Sequence, residues 1–147
     1  MKPNVLAHVS IQSDLKLLPE TIIYIIDILK RKNIYKTSEE YFYLELVLSE
    51  LVSNAIIHGN KNDKNKTVNI TVYLHNNILT FEVTDEGELF NFNPSSKLNP
   101  LSECGKGLYL IKQLVDEIII EKNVHKKVII NKIIKNSDCK SKNFNIA

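Results

Sequence analysis

The chain has 147 residues, 44% of them hydrophobic and 24% charged, enough for one domain with a real core. A net charge of +2 is too small to name nucleic acid or an acidic surface as the partner. Cys104 and Cys139 form neither a disulfide framework nor a zinc spacing, no apolar run approaches the ~20 residues that span a bilayer, and no signal-peptide pattern opens the chain, so a cytoplasmic protein is expected.

Val5, Ala7, Val9 and Ile11 alternate with polar or exposed positions, which is strand spacing. Leu18-Pro19-Glu20 then opens a helix, with proline in its first turn and an apolar stripe of Leu18, Ile22, Ile25, Ile26 and Leu29. A second helix runs from about Glu39 to His58 and is ended by Gly59-Asn60. Val68, Ile70, Val72 and Leu74 alternate, His75-Asn76-Asn77 is a tight turn, and Leu79, Phe81 and Val83 alternate in reply, which predicts an antiparallel hairpin. Phe90–Cys104, punctuated by Pro94 and Pro100, exceeds the ~12 residues above which a loop is usually functional. A third helix follows from about Lys106 to Val115. Two β-rich runs, Glu117–Glu121 and Lys127–Ile134, are joined at Asn123–Lys126.

These elements predict an α+β fold: a two-layer α/β sandwich in which three helices cover one face of a mixed, mostly antiparallel sheet. The domain is expected to occupy residues 1–134, with 135–147 a polar tail. Seven lysines and one aspartate lie between Lys122 and Ala147, which reads as a solvated, disordered end rather than a nucleic-acid interface, because no aromatics are interleaved.

All four glycines fall in three short blocks. In the first, Glu50-Leu-Val-Ser-Asn54-Ala-Ile-Ile-His58-Gly59, a helical projection places Asn54 inside the apolar sector made by Leu44, Val47, Leu48, Leu51 and Ala55. Glu50, Asn54 and His58 then form an i, i+4, i+8 polar row that needs satisfying, which a hard cation would do through oxygen ligands from Asn54 and bound phosphates, with Glu50 placed to accept a proton or hold a water. For His58 alone, a helix end with local bonds is preferred. In the second block, Thr84-Asp85-Glu86-Gly87, Asp85 shares parity with Leu79, Phe81 and Val83 and so points inward. It is either an acceptor for an exocyclic amino group, with Gly87 against a flat ring, or a turn former beside glycine. The third block, Gly105-Lys106-Gly107-Leu108, opens a helix and offers backbone N–H groups to an anion. Its spacing is neither that of a P-loop nor that of a dinucleotide fingerprint.

In this order the blocks resemble the N, G1 and G2 boxes of the GHKL (Bergerat-fold, histidine-kinase-like) ATPases, over about residues 4–134. Within that superfamily, Glu-x-x-x-Asn-Ala-x-x-His and Phe90-Asn91 resemble the anti-sigma regulatory factor group of serine-protein kinases. The resemblance implies that Asn54 coordinates Mg²⁺ and that Glu50 is the general base. It places the adenine amino group on Asp85, the ring on Gly87, and the phosphates on Gly105, Lys106, Gly107 and Leu108 below a Phe90–Cys104 lid. It further implies ATP as cosubstrate, a sigma factor and an anti-anti-sigma protein as partners, serine phosphorylation as the reaction, and a homodimer. No direct contact with nucleic acid or membrane is expected. The alternative is a nucleotide-binding interaction module of the same fold without catalysis. The chain departs from the superfamily at Leu89, where many members carry a second glycine, and at Lys106, in place of a common arginine. At Asn123-Val124-His125-Lys126-Lys127 no Gly-Gly-Thr-like segment occurs.

Overall fold

A computed structural model describes residues 3–87 and 106–135. The expected lid Phe90–Cys104, Leu89, Gly105 and the tail beyond Lys135 lie outside the described residues.

Strand β1 (Asn4–Gln12) leads through a short 3₁₀ turn, Leu15–Leu17, into helix α1 (Leu18–Arg31). Asp14 caps the turn by accepting the N–H of Lys16 at 3.0 Å. Helix α1 buries Thr21, Ile22, Ile25, Ile26 and Leu29, the stripe its 3.6-residue period dictates. Helix α2 (Ser38–Asn54) begins at Thr37, whose hydroxyl accepts the N–H of Glu40 and donates to Glu40 Oε1 at 2.8 Å, a local variant of the capping box.

The hairpin of β2 (Thr67–His75) and β3 (Ile78–Thr84) turns at Asn76 and Asn77, with φ of 49° and 64°. Positive φ at both central residues is what a two-residue hairpin turn matched to strand twist requires, and asparagine tolerates it. Helix α3 (Lys106–Leu114) carries the chain across to β4 (Glu117–Lys122), which turns into β5 (Lys126–Ile133). Strand order is β1-β2-β3-β5-β4 and, among the described residues, each pairing is antiparallel.

Register aligns the apolar residues into rows across the covered face. Val9, Ile70, Val83, Val128 and Ile120 form one such row; Ala7, Val72, Phe81, Ile130 and Ile118 form the next. Helices α1 and α2 supply Ile25, Leu29, Leu44 and Leu48 from above, each at most 1% exposed. Each such side chain contributes roughly 1.5–3 kcal/mol by leaving water.

Val5 departs from expectation. A register shift between Val5 and Ala7 inserts a bulge that puts Val5 opposite Tyr73 and leaves it 57% exposed, while Leu6 packs against the core instead. A one-residue irregularity reverses the facing of every residue before it.

Candidate active site

Helix α2 does not run on regularly to His58. From Ala55 to Gly59 the chain makes a π turn, with the N–H of Asn60 donating to Ala55 O at 2.8 Å. The wider turn changes the phase of the helix. Glu50 and Asn54 remain half-buried neighbours one turn apart, whereas His58 is exposed. The expected row of three is therefore a pair. Asn54 is not a core amide either: it flanks the buried stripe of Leu48, Leu51, Val52 and Ala55 and reaches solvent. Among the described residues, Tyr35 Oη is the buried side-chain polar atom without a hydrogen-bond partner, so neither Glu50 nor Asn54 demands a ligand for its own stability.

The π turn carries Gly59 directly onto the end of β3. A Cβ on Gly59 would run into the carboxyl group of Asp85, and one on Gly87 would run into Gly59 O and lie 3.0 Å from Asp85 Oδ1. Asp85 itself is 2% exposed and points to the covered face, as its parity requires. Oδ1 accepts the N–H of Gly87 at 2.9 Å, so the turn-forming role is realised. Oδ2 lies 3.6 Å from Lys126 Nζ. The missing side chains of Gly59 and Gly87 let the helix end and the strand end close around this carboxylate, which has one oxygen committed to the backbone and the other beside an ammonium group and keeps acceptor capacity for an amino donor.

The fully buried amide is Asn60, at 1% exposure, a residue that sequence reasoning used only as a helix stop. Its Nδ2 donates to Ser13 Oγ at 2.7 Å and to Thr67 O at 2.9 Å, and its Oδ1 accepts the N–H of Glu86 at 2.7 Å. Glu86 Oε2 in turn accepts from Thr67 N–H at 2.6 Å. One side chain thus ties the ends of β1, β2 and β3 beneath Gly59 and holds Asp85 in place. Asn60→Ala leaves Thr67 O and Glu86 N–H without their partner and is expected to lower stability by about 3 kcal/mol, read by urea unfolding; a loss below about 1 kcal/mol would contradict this role.

Backbone donation from Thr67 holds the Glu86 carboxyl below its ordinary range, against the opposing effect of burial. A depressed native value means a contribution to stability that is present above the unfolded value of about 4.3 and is lost as pH falls through the native one. Glu86→Gln is expected to flatten the loss of stability between about pH 5 and pH 3, measured as the urea midpoint at each pH; an unchanged slope would contradict it.

Of the residues singled out from sequence, the structure brings Asp85 and Gly87 together with Gly59, at the foot of the helix that carries Asn54 and Glu50. At 1.5 Å of rise per residue these two sit roughly 7 Å and 13 Å up that helix from Gly59. Lys106, Gly107 and Leu108 form the first turn of α3, as predicted. Helix α3 packs beside α2. Lys126, assigned to a turn, is instead the first residue of β5 and faces Asp85.

The family model described as "Histidine kinase-like ATPase domain" matches residues 11–132. The anti-sigma F factor of Geobacillus stearothermophilus is 34% identical over 101 residues, covering 61% of this chain and 66% of that protein. Serine-protein kinase RsbW of Bacillus subtilis (strain 168) is 36% identical over 95 residues, covering 58% of this chain and 59% of that protein. The chain thus spans less than two thirds of the length of either relative. A solved histidine kinase domain, from the blue-light activated histidine kinase of Erythrobacter litoralis EL346, shares the fold with a TM-score of 0.52 at 16% identity, covering 80% of this chain and 61% of that one. Since the matched residues take in all three helices and most of the sheet, the chain belongs to the histidine kinase-like ATPase domain family.

Proposed function

We propose that this protein binds Mg-ATP, transfers the γ-phosphoryl group to a serine of an anti-anti-sigma protein in the cytoplasm, and captures a sigma factor. The observation that carries the nucleotide part is the buried Asp85 carboxylate, set between Gly59 and Gly87 at the end of the helix bearing Asn54 and Glu50. The partners rest on the likeness to an anti-sigma F factor and to a serine-protein kinase.

In this reading Asp85 accepts a hydrogen bond from the adenine amino group, and Gly59 and Gly87 pack closely enough against its carboxyl group to fix it there. The phosphates extend along α2 towards Asn54 and the first turn of α3. No cluster of three or more His, Cys, Asp or Glu able to hold a metal occurs among the described residues, and a lone amide oxygen fits a hard cation that arrives with its phosphates. Asn54 would hold that Mg²⁺, which when bound neutralises charge on the phosphates. Glu50, one turn from Asn54 and half-open to solvent, takes the proton from the serine Oγ as that oxygen bonds to the γ-phosphorus and ADP leaves. No helix among the described residues is long and apolar enough to cross a membrane.

The direct test is mass spectrometry of candidate anti-anti-sigma proteins after incubation with the protein and ATP. A phosphoserine that requires both is the expected result. Bound nucleotide without transfer to serine would contradict the kinase assignment.

A further inference from the structure

Lys126 opens β5, and its backbone carbonyl accepts the N–H of Asp85 at 3.1 Å. Along β5 it shares parity with Val128 and Ile130, which pack into the core, so its side chain lies on the covered face. There its Nζ stands 3.6 Å from Asp85 Oδ2, with the Lys126 side chain 25% exposed and that of Asp85 3%. The Lys126 side chain is thus partly exposed, and the Asp85 carboxylate lies buried beside it. An ammonium has three donors, and at 3.6 Å its contact with Oδ2 is an ion pair rather than a hydrogen bond.

The pair sets a hydrogen-bond acceptor beside a donor where β3 ends and β5 begins. The Watson–Crick edge of adenine presents the complement, an exocyclic amino donor beside the ring acceptor N1. We propose that Lys126 is a specificity-determining residue of the nucleotide site, donating a hydrogen bond to adenine N1 while Asp85 accepts from the adjacent amino group. This rests on the assignment of Asp85 to the adenine end of an ATP site. In the same ring position, guanine or hypoxanthine sets a carbonyl oxygen against the carboxylate and a ring N–H against the ammonium. Both contacts are then mismatched rather than one, and a buried polar group left unpaired is what makes such rejection strong.

The test is a set of dissociation constants for ATP, 1-deaza-ATP (in which N1 is replaced by C–H) and GTP, measured by calorimetry on the full chain and on Lys126→Met and Lys126→Arg. The wild type is expected to bind ATP at least about tenfold more tightly than 1-deaza-ATP, and at least about a hundredfold more tightly than GTP. In Lys126→Met the ratio between ATP and 1-deaza-ATP should fall to about one, and Lys126→Arg should restore most of it. Because that ratio compares two ligands on one protein, any general disturbance from leaving Asp85 without its counter-charge cancels. Should Lys126→Met fail to fold, the wild-type ratio still decides. Equal affinity of the wild type for ATP and 1-deaza-ATP, GTP binding as tight as ATP, or an undiminished ratio in Lys126→Met would each overturn the proposal. No binding of ATP at all would instead overturn the nucleotide-site reading beneath it.

Discussion

Replacing Glu50 by Gln is expected to reduce phosphoryl transfer by about 10²–10⁴ while leaving the affinity for Mg-ATP within about tenfold of wild type. Glutamine keeps the shape and the hydrogen-bonding capacity of the side chain and removes only its ability to take a proton. Because Glu50 is half-buried on the flank of α2 rather than locked in the core, the exchange need not disturb packing. Asn54→Ala should behave differently: the amide oxygen is the group assigned to the cation, so both binding and transfer should fall. The two variants are separated by measuring nucleotide affinity and the initial rate of serine phosphorylation on the same samples. A Glu50→Gln protein that transfers phosphate at the wild-type rate would make Glu50 a structural carboxylate and leave the base elsewhere.

Gly59→Ala is expected to raise the dissociation constant for nucleotide by about ten- to a hundredfold, the equivalent of losing a hydrogen bond to a charged group. The added methyl would run into the Asp85 carboxyl group, which has nowhere to retreat: Oδ1 is bound to Gly87 N–H at 2.9 Å and Lys126 stands on the other side. Relieving the clash moves either the carboxylate or the π turn, and overpacking of this kind costs typically 1–3 kcal/mol. Urea unfolding beside a calorimetric titration distinguishes the two. Wild-type affinity in a folded Gly59→Ala protein would show that the close approach of helix and strand has no part in the site.

Much of this arrangement was legible in the residues alone because it depends on local periodicity. The stripe of α1, the β2–β3 hairpin and the inward parity of Asp85 follow from spacings of 3.6 and 2, and the structure has them where those spacings place them. What stayed hidden depends on partners distant in sequence. The Val5–Ala7 bulge is fixed by pairing with β2, and no feature of the alternating run announces it. The π turn at Ala55–Gly59 is paired with a tertiary demand: it sets Gly59 against Asp85, whereas a regular helix would have kept His58 in the Glu50–Asn54 row. Asn60 reads as a helix stop until Ser13, Thr67 and Glu86 are seen around it. Lys126 keeps step with Val128 and Ile130, a signal legible in the residues, and β5 begins at it, one residue earlier than the alternation alone suggests.

Calorimetric titration of Mg-ATP into the wild type and into Asp85→Asn tests the central claim most directly. Asparagine matches the carboxylate in shape and can still accept from Gly87 N–H, but it turns an N–H rather than an oxygen towards either Lys126 or the adenine amino group. The wild type is expected to bind, and Asp85→Asn to bind about ten- to a hundredfold more weakly, as for the loss of one charged hydrogen bond. Equal affinity in the two proteins, or no binding to the folded wild type at millimolar nucleotide, would contradict the account.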